Sequence, residues 1–234
     1  MHEFGEARKA IEAMIRSDNL QGLLHHAQAL HGHLCPMVTL GVKAGHYAMK
    51  YLEDPNTGME EIVAVVECNN CFTDGIQAVT GCTFGNNALI FKDLGKTAVT
   101  VIRRRDGRAV RLVVRADYRE HLFEKYPAAG PLFEKVVAQR QATPEEEHRF
   151  QHVWEAMARR ELTAPLDSQL RITPLTLAAP AYARIFQTVI CHRCGEGVMA
   201  SRVVEVEGRP TCLACAGRPV PMLTGQGIML GEEQ

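Results

Sequence analysis

TAVTVIRRRDGRAVRLVVR, residues 97–115, contains two apolar strand-like segments joined by Asp106-Gly107. Asp-Gly is a favoured two-residue turn between antiparallel strands, so this stretch predicts a β-hairpin. Residues 61–67 form another apolar, β-branched segment with almost no alternation, which indicates a strand covered on both faces. Residues 88–91 add a shorter strand. A small antiparallel sheet is therefore the predicted centre of the fold.

Helix-forming segments lie on both sides of these strands in the sequence. Before the strands, apolar side chains recur at helical spacing, and Pro36 suits the first position of a helix. After the strands, Thr143-Pro-Glu-Glu146 is a capping box that marks another helix start. The predicted helices cover residues 6–16, 19–30, 36–52, 131–142 and 143–161. The pattern predicts an α+β core, a small antiparallel sheet flanked by helices.

Two CxxC pairs near the C-terminus predict a structural zinc site. Cys191-His-Arg-Cys194 and Cys212-Leu-Ala-Cys215 are separated by 17 residues. Four thiolates at this spacing supply the tetrahedral shell that zinc prefers. Glycines after the first pair and a short hairpin over residues 201–209 indicate a zinc-ribbon or treble-clef finger. Two disulfides, or a thioredoxin-like redox pair, are the alternatives, although a redox CxxC normally stands alone before a helix.

A closed Cys₄ shell leaves no open position on the metal, so this finger is expected to stabilise rather than catalyse. Between Cys191 and Pro219 there are four arginines and three glutamates, which gives a net charge of only +1. Phosphate contacts require a much more basic surface, so a nucleic-acid role is not expected.

Composition is that of a cytoplasmic globular protein. The 234 residues are 46% hydrophobic and 23% charged, with a formal net charge of −1. The acidic N-terminus lacks the apolar run of a signal peptide. Residues 19–42 contain no Asp, Glu, Lys or Arg, yet four histidines, two glutamines and a proline argue against a membrane span. Without a secretion signal, the eight cysteines are expected to serve metals or chemistry in a reducing compartment.

Four regions follow from these patterns. They are an α+β core over residues 1–162, an apolar, proline-containing connector over 163–185, the Cys₄ finger over 186–219 and a loose tail over 220–234. The connector is too apolar for a free linker, so we expect it to pack against a surface, such as that of a second copy of the chain. A homodimer is the expected assembly.

A second group of metal-binding and nucleophilic residues lies in the first 82 residues. His31-Gly-His33-Leu-Cys35 comes directly before the helix predicted at Pro36. Because a helix N-terminus favours a thiolate, Cys35 is expected to be the most reactive cysteine, although a buried, inert thiol is the alternative. A further set follows the strand of residues 61–67 and comprises Cys68, Cys71, Asp74, Gln77 and Cys82. Loops after buried strands commonly build sites.

Three ordered motifs carry a family resemblance. HGHLCP at residues 31–36, CFTDGIQAVTGCTFGN at 71–86 and DLGKTAVTV at 93–101 resemble the E-subunit family of formylmethanofuran dehydrogenase. The CxxC pairs are similar to the zinc finger found on some of its members. The chain departs from the family pattern at Met37, Gly75 and Asn86-Asn87, and Cys68 is additional.

The resemblance implies an α+β core with a Cys/His/Asp cleft and an association with molybdenum- or tungsten-dependent dehydrogenase subunits in one-carbon metabolism. The functional residues that the resemblance implies fall on motif positions of this chain, which are His31, His33, Cys35, Cys71, Asp74, Gln77 and Cys82.

Three hypotheses about the core group remain open. In the first, His33, Cys35, Cys71 and Cys82 supply ligands for a second transition metal, expected to be zinc, while His31 and Gln77 support the cleft. In the second, a zinc- or thiol-dependent enzyme acts on a small one-carbon or carbonyl substrate, with Cys35 and Asp74 as the catalytic candidates. In the third, the protein is a non-enzymatic accessory or metal-delivery protein, because no GxGxxG, P-loop or ferredoxin-like motif is present.

Overall fold

The computed structural model describes residues 5–231 and divides the chain into two compact units, residues up to Pro180 and residues from Ala181 onward. The first unit is the α+β core. Its helices are α1 (Glu6–Arg16), α2 (Leu20–His31), α3 (Pro36–Leu52), α4 (Cys71–Thr80), α5 (Tyr118–Lys125), α6 (Ala129–Phe133) and α7 (Pro144–Glu161). Its strands are β1 (Ile62–Val66), β2 (Leu89–Phe91), β3 (Ala98–Arg103), β4 (Arg108–Val114) and β5 (Leu170–Thr176).

Several predicted elements are confirmed at their boundaries. Helix α3 begins at Pro36 and ends at Leu52. Helix α7 begins with the full capping box, in which the side chains of Thr143 and Glu146 each accept from the other residue's backbone N–H. Strands β3 and β4 form the predicted hairpin, but β3 ends at Arg103 and β4 begins at Arg108, so residues 104–107 form a four-residue loop rather than the two-residue turn expected at Asp106-Gly107. Helices α4 and α5 were not predicted, and the helix expected over residues 131–142 is instead α6 followed by a π-helical turn at Glu134–Ala138.

The sheet has the strand order β2-β1-β3-β4-β5. Most neighbours are antiparallel, as expected, but β1 and β2 run parallel, with Ala64 opposite Leu89. Parallel neighbours need a crossover connection, and helix α4 lies in the segment that joins these two strands. The sheet is therefore mixed rather than purely antiparallel.

Strand β5 lies inside residues 163–185, which we expected to be a connector. It pairs with β4 along seven residues, from Val114 opposite Leu170 to Arg108 opposite Thr176. Pro174 has no backbone N–H, and an edge strand tolerates that loss. Leu170 of this segment is thus buried in the core sheet of its own chain, whereas Leu177 stays 39% exposed. The homodimer stays a prediction.

Helices α3 and α4 pack at close range through glycines. A Cβ placed on Gly41 would lie 2.1 Å from the carbonyl oxygen of Phe72 and 3.0 Å from the Cα of Gly75. A Cβ on Gly75 would lie 2.4 Å from the carbonyl oxygen of Val38. Only glycine permits this approach of two backbones. It brings the N-terminal ends of α3 and α4, and the cysteines on them, together.

The second unit is built from three short hairpins. Strands β6 (Thr188–Ile190) and β7 (Gly197–Met199) form the first, and β8 (Val203–Val206) and β9 (Arg209–Cys212) form the second. The region expected to be a loose tail contains the third hairpin, β10 (Val220–Thr224) and β11 (Gly227–Gly231). Within residues 5–231, no helix is long and apolar enough to cross a membrane.

Candidate metal centre in the core

Two helix N-termini place two cysteines side by side. Cys35 is the N-cap of α3, and its Sγ accepts a hydrogen bond from the backbone N–H of Val38 at 3.3 Å. Cys71 is the first residue of α4, where the Asn70 side chain caps the helix by accepting from the N–H of Phe72. Helix N-termini carry partial positive charge, so both positions favour a thiolate.

Two histidines complete the group. His31 ends α2, and Gly32 then adopts a left-handed backbone conformation at φ 89°. This turn folds the chain back so that the rings of His31 and His33 lie 4.4 Å apart. One ligand atom each from His31, His33, Cys35 and Cys71 lies within 4.8 Å of all the others. The four residues form a mixed N/S set, which suits zinc and related transition metals.

A carboxylate orients His31. Its Nδ1 lies 2.7 Å from Oδ2 of Asp74, and the Gln77 amide donates to Oδ1 of the same carboxylate at 3.1 Å. The other ring nitrogen, Nε2, is buried and is the one such side-chain N or O atom without a hydrogen-bond partner among residues 5–231. A histidine whose Nδ1 bonds a carboxylate and whose Nε2 is unpartnered has the arrangement found in carboxylate–histidine–metal triads.

Cys35 and Cys71 differ in the pKa of their thiols. The hydrogen bond to Cys35, aided by His31, lowers the pKa of the Cys71 thiol. The same hydrogen bond, together with burial, raises the pKa of Cys35. Burial and the neighbouring His31 lower the pKa of His33 and so favour its neutral, metal-binding form. At Cys35, the hydrogen bond to Cys71 and burial thus oppose the stabilisation that a helix N-terminus gives a thiolate, and the reactivity expected for Cys35 stays a prediction.

The structure does not bring Cys82 to this group. Its thiol is fully buried, donates to the carbonyl oxygen of Ile62 at 3.4 Å and accepts a contact from the Asn56 amide at 3.7 Å. Burial raises the pKa of Cys82 to about 11. Cys68 is also buried elsewhere and donates to Oδ1 of Asn70 at 3.5 Å. His31, expected only as support, takes the place predicted for Cys82.

The finger cysteines converge as predicted. The sulfurs of Cys191, Cys194, Cys212 and Cys215 all lie within 4.8 Å of one another. Backbone N–H groups point at them, with Cys212 N 3.3 Å from Cys191 Sγ and Cys215 N 3.4 Å from Cys212 Sγ. These hydrogen bonds favour thiolates over thiols. Free cysteines at this spacing match zinc better than two disulfides do.

Two family models match the two parts of the chain. The family model described as "FmdE, Molybdenum formylmethanofuran dehydrogenase operon" matches residues 30–171, more than half of the chain. The model of the prokaryotic dksA/traR C4-type zinc finger matches residues 184–220.

One curated relative, from Archaeoglobus fulgidus, is described as a probable S-adenosyl-L-methionine-binding protein. It is 40% identical over 214 residues, which cover 90% of this chain and 56% of that protein. The chain thus spans little more than half of that relative's length. A solved structure of a tungsten formylmethanofuran dehydrogenase FmdE-like protein from Syntrophus aciditrophicus has a TM-score of 0.54 at 22% identity. The match covers 85% of this chain and 92% of that one. At such identity the similarity establishes the fold. This chain belongs to the FmdE family and carries a C-terminal C4-type zinc finger.

Proposed function

We propose that the core group of His31, His33, Cys35 and Cys71 binds a transition metal, with zinc as the preferred ion. The unpartnered, buried Nε2 of His31 is the observation that carries this proposal. A buried ring nitrogen without a partner is costly, and a metal ion would satisfy it. Neutral histidine and a thiolate of lowered pKa are also the protonation states that metal binding requires.

His31 and the two thiols would form the inner part of such a site, and the more exposed His33 would lie toward solvent. Asp74 and Gln77 act through His31 by holding its ring orientation. A bound zinc ion supplies Lewis-acid chemistry when a ligand position stays open. Asp74 is thus a positioning residue, rather than the catalytic residue considered from the sequence.

We further propose that the protein is accessory to molybdenum- or tungsten-dependent one-carbon metabolism, with dehydrogenase subunits as partners. The family description, which names the molybdenum formylmethanofuran dehydrogenase operon, supports this role. Purification of the chain from cells that express such a dehydrogenase tests it. Co-elution of dehydrogenase subunits would support the role, and elution without them under low-salt conditions would contradict it.

The core site is tested by measuring the metal content of a full-length variant in which all four finger cysteines are changed to serine. We expect about one zinc ion per chain to remain, because the core ligands lie in a separate unit. Adding Cys71→Ser should remove that ion, whereas adding Cys82→Ser should not. A quadruple variant that retains no metal would exclude the core site.

Asp74→Asn should weaken metal binding at the core site by about 10- to 100-fold. Asparagine keeps the size of the side chain but loses the charge that orients His31 and makes its Nε2 a better ligand. Competition with a chromophoric chelator measures the affinity, and Asp167→Asn, on an exposed turn of the same unit, is the control. Equal affinity in the two variants would show that Asp74 has no part in the site.

A further inference from the structure

A large cavity opens beside the core thiols. Its volume is about 1110 Å³, and His33, Cys35 and Cys71 form part of its lining. Sites for organic ligands commonly measure about 300–1,000 Å³. The cavity therefore has room for a molecule much larger than a one-carbon compound, and such a molecule would lie against the proposed metal site.

Aromatic side chains form one wall of this cavity. Phe123, Phe133, Phe150 and Trp154 all line it. Trp154 stacks on Phe133 with ring centroids 5.5 Å apart and an interplanar angle of 20°, and Phe150 lies 4.5 Å from Trp154. Clustered ring faces of this kind bind flat rings by offset stacking and by excluding water.

One cation on this wall is available to a ligand. The Arg119 guanidinium lies over the rings of Phe123 and Phe133, at 5.5 Å and 5.1 Å from their centroids, and it forms no ion pair within residues 5–231. Arg115, the other arginine in the lining, pairs with Asp117 at 3.3 Å. Of the two lining carboxylates, Glu155 pairs with Arg159 at 2.7 Å, whereas Glu147 forms no ion pair within residues 5–231. Stacking on rings holds a guanidinium in place and leaves the N–H groups at its edge free to bind a carboxylate or phosphate.

We propose that this cavity binds a small molecule that combines a flat aromatic ring with a carboxylate or phosphate group. The ring would stack on the wall around Trp154, and the anion would pair with Arg119. The ring and anion contacts are independent of any metal. Contact between the rest of the ligand and a metal at Cys35 and Cys71 rests on the proposed function.

Trp154 is the chain's single tryptophan, so its fluorescence reports on the cavity. The probes are two ring-bearing anions, adenosine 5′-monophosphate and naphthalene-1-carboxylate. Adenosine and inorganic phosphate, the two parts of the first probe, are titrated separately. We expect at least one ring-bearing anion to change Trp154 fluorescence saturably. Adenosine or phosphate alone should bind about tenfold more weakly, because each lacks one of the two contacts.

Arg119→Gln should weaken binding of the responsive anion about tenfold and leave binding of adenosine unchanged. Arg16→Gln is the matched control, because Arg16 is exposed at the end of helix α1 and lies outside the cavity lining, and this variant should bind all probes like the wild type. Phe150→Leu is a second variant that should weaken both ring-bearing anions and adenosine. Circular dichroism and the thermal midpoint establish that each variant is folded.

Failure of both ring-bearing anions to produce a saturable change would overturn the proposal, as would an equal response to phosphate alone or unchanged affinity in Arg119→Gln. A fluorescence signal that depends on protein concentration rather than on probe concentration would assign the cavity to a second copy of the chain, which also overturns the proposal.

Zinc is measured in the same samples, and the titration is repeated on zinc-depleted protein. Probe binding by protein whose core site takes up no zinc when zinc is supplied would contradict the proposed function alone, and core zinc without probe binding would contradict this inference alone.

Discussion

Cys212→Ala is expected to release zinc from the second unit and to unfold residues 181–231, while the α+β core stays folded. This unit has almost no hydrophobic core, because its described residues include only four buried ones, Cys191, Thr211, Cys212 and Gly227. Two of these four are ligands. Its stability must therefore come mainly from the metal, and structural zinc contributes about 10–16 kcal/mol in comparable peptides.

Elemental analysis and hydrogen exchange followed by mass spectrometry measure this outcome. We expect one fewer zinc ion per chain and loss of amide protection in β6 through β9, with the core peptides unchanged. Cys68→Ala is the matched control, since Cys68 is a buried thiol outside both ligand groups. Persistent protection of the finger amides in zinc-free Cys212→Ala would show that the hairpins are stable without metal.

Gly41→Ala is expected to lower the free energy of unfolding by about 3 kcal/mol, the upper end of the usual range for overpacking. The new Cβ would lie 2.1 Å from the Phe72 carbonyl oxygen and 3.0 Å from the Cα of Gly75. Both neighbours are backbone atoms, so no side chain can turn aside and the two helices must separate. Cys35 and Cys71 lie at the starts of these helices, and the affinity of the core site for metal should fall as well.

Gly130→Ala provides the control, because Gly130 is also helical but its Cβ would meet, apart from its chain neighbours, only Phe123, at 3.7 Å. That substitution should change the free energy of unfolding by less than about 1 kcal/mol, because the smaller loss of backbone entropy with alanine is offset by the contact of its Cβ with the ring of Pro131. Urea unfolding measures both variants. Similar stability of Gly41→Ala and the wild type would mean that α3 and α4 can move apart without cost.

Helix α4 shows why sequence patterns missed part of the fold. Its sequence, Cys71-Phe-Thr-Asp-Gly-Ile, is poor in strong helix formers, so local propensity does not predict a helix. Tertiary packing against α3 compensates for this weakness, as the glycine contacts show. Two local signals were available, namely Asn70 as the N-cap and Gly81 in a left-handed conformation at φ 74° as the C-cap.

The structure brings together only part of the residue set predicted for the core site. The motif pattern, together with the family resemblance, grouped His33, Cys35 and Cys71, which lie close to one another in the structure. It also included Cys82 and gave His31 a supporting role. Those two assignments depend on where α4 ends and on which ring nitrogen faces Asp74, and neither follows from residue order.

The sequence by itself determined the features that act over a few residues. The start of α3 at Pro36, the hairpin around Asp106-Gly107 and the Cys₄ finger all follow from local backbone chemistry or from ligand spacing within short hairpins. Tertiary structure alone decided the parallel pairing of β1 with β2, the place of β5 at the sheet edge, the grouping of the four core residues and the aromatic cavity beside them. These features join residues far apart in the chain, and their positions depend on packing between whole elements, such as α3 on α4, so no local pattern encodes them.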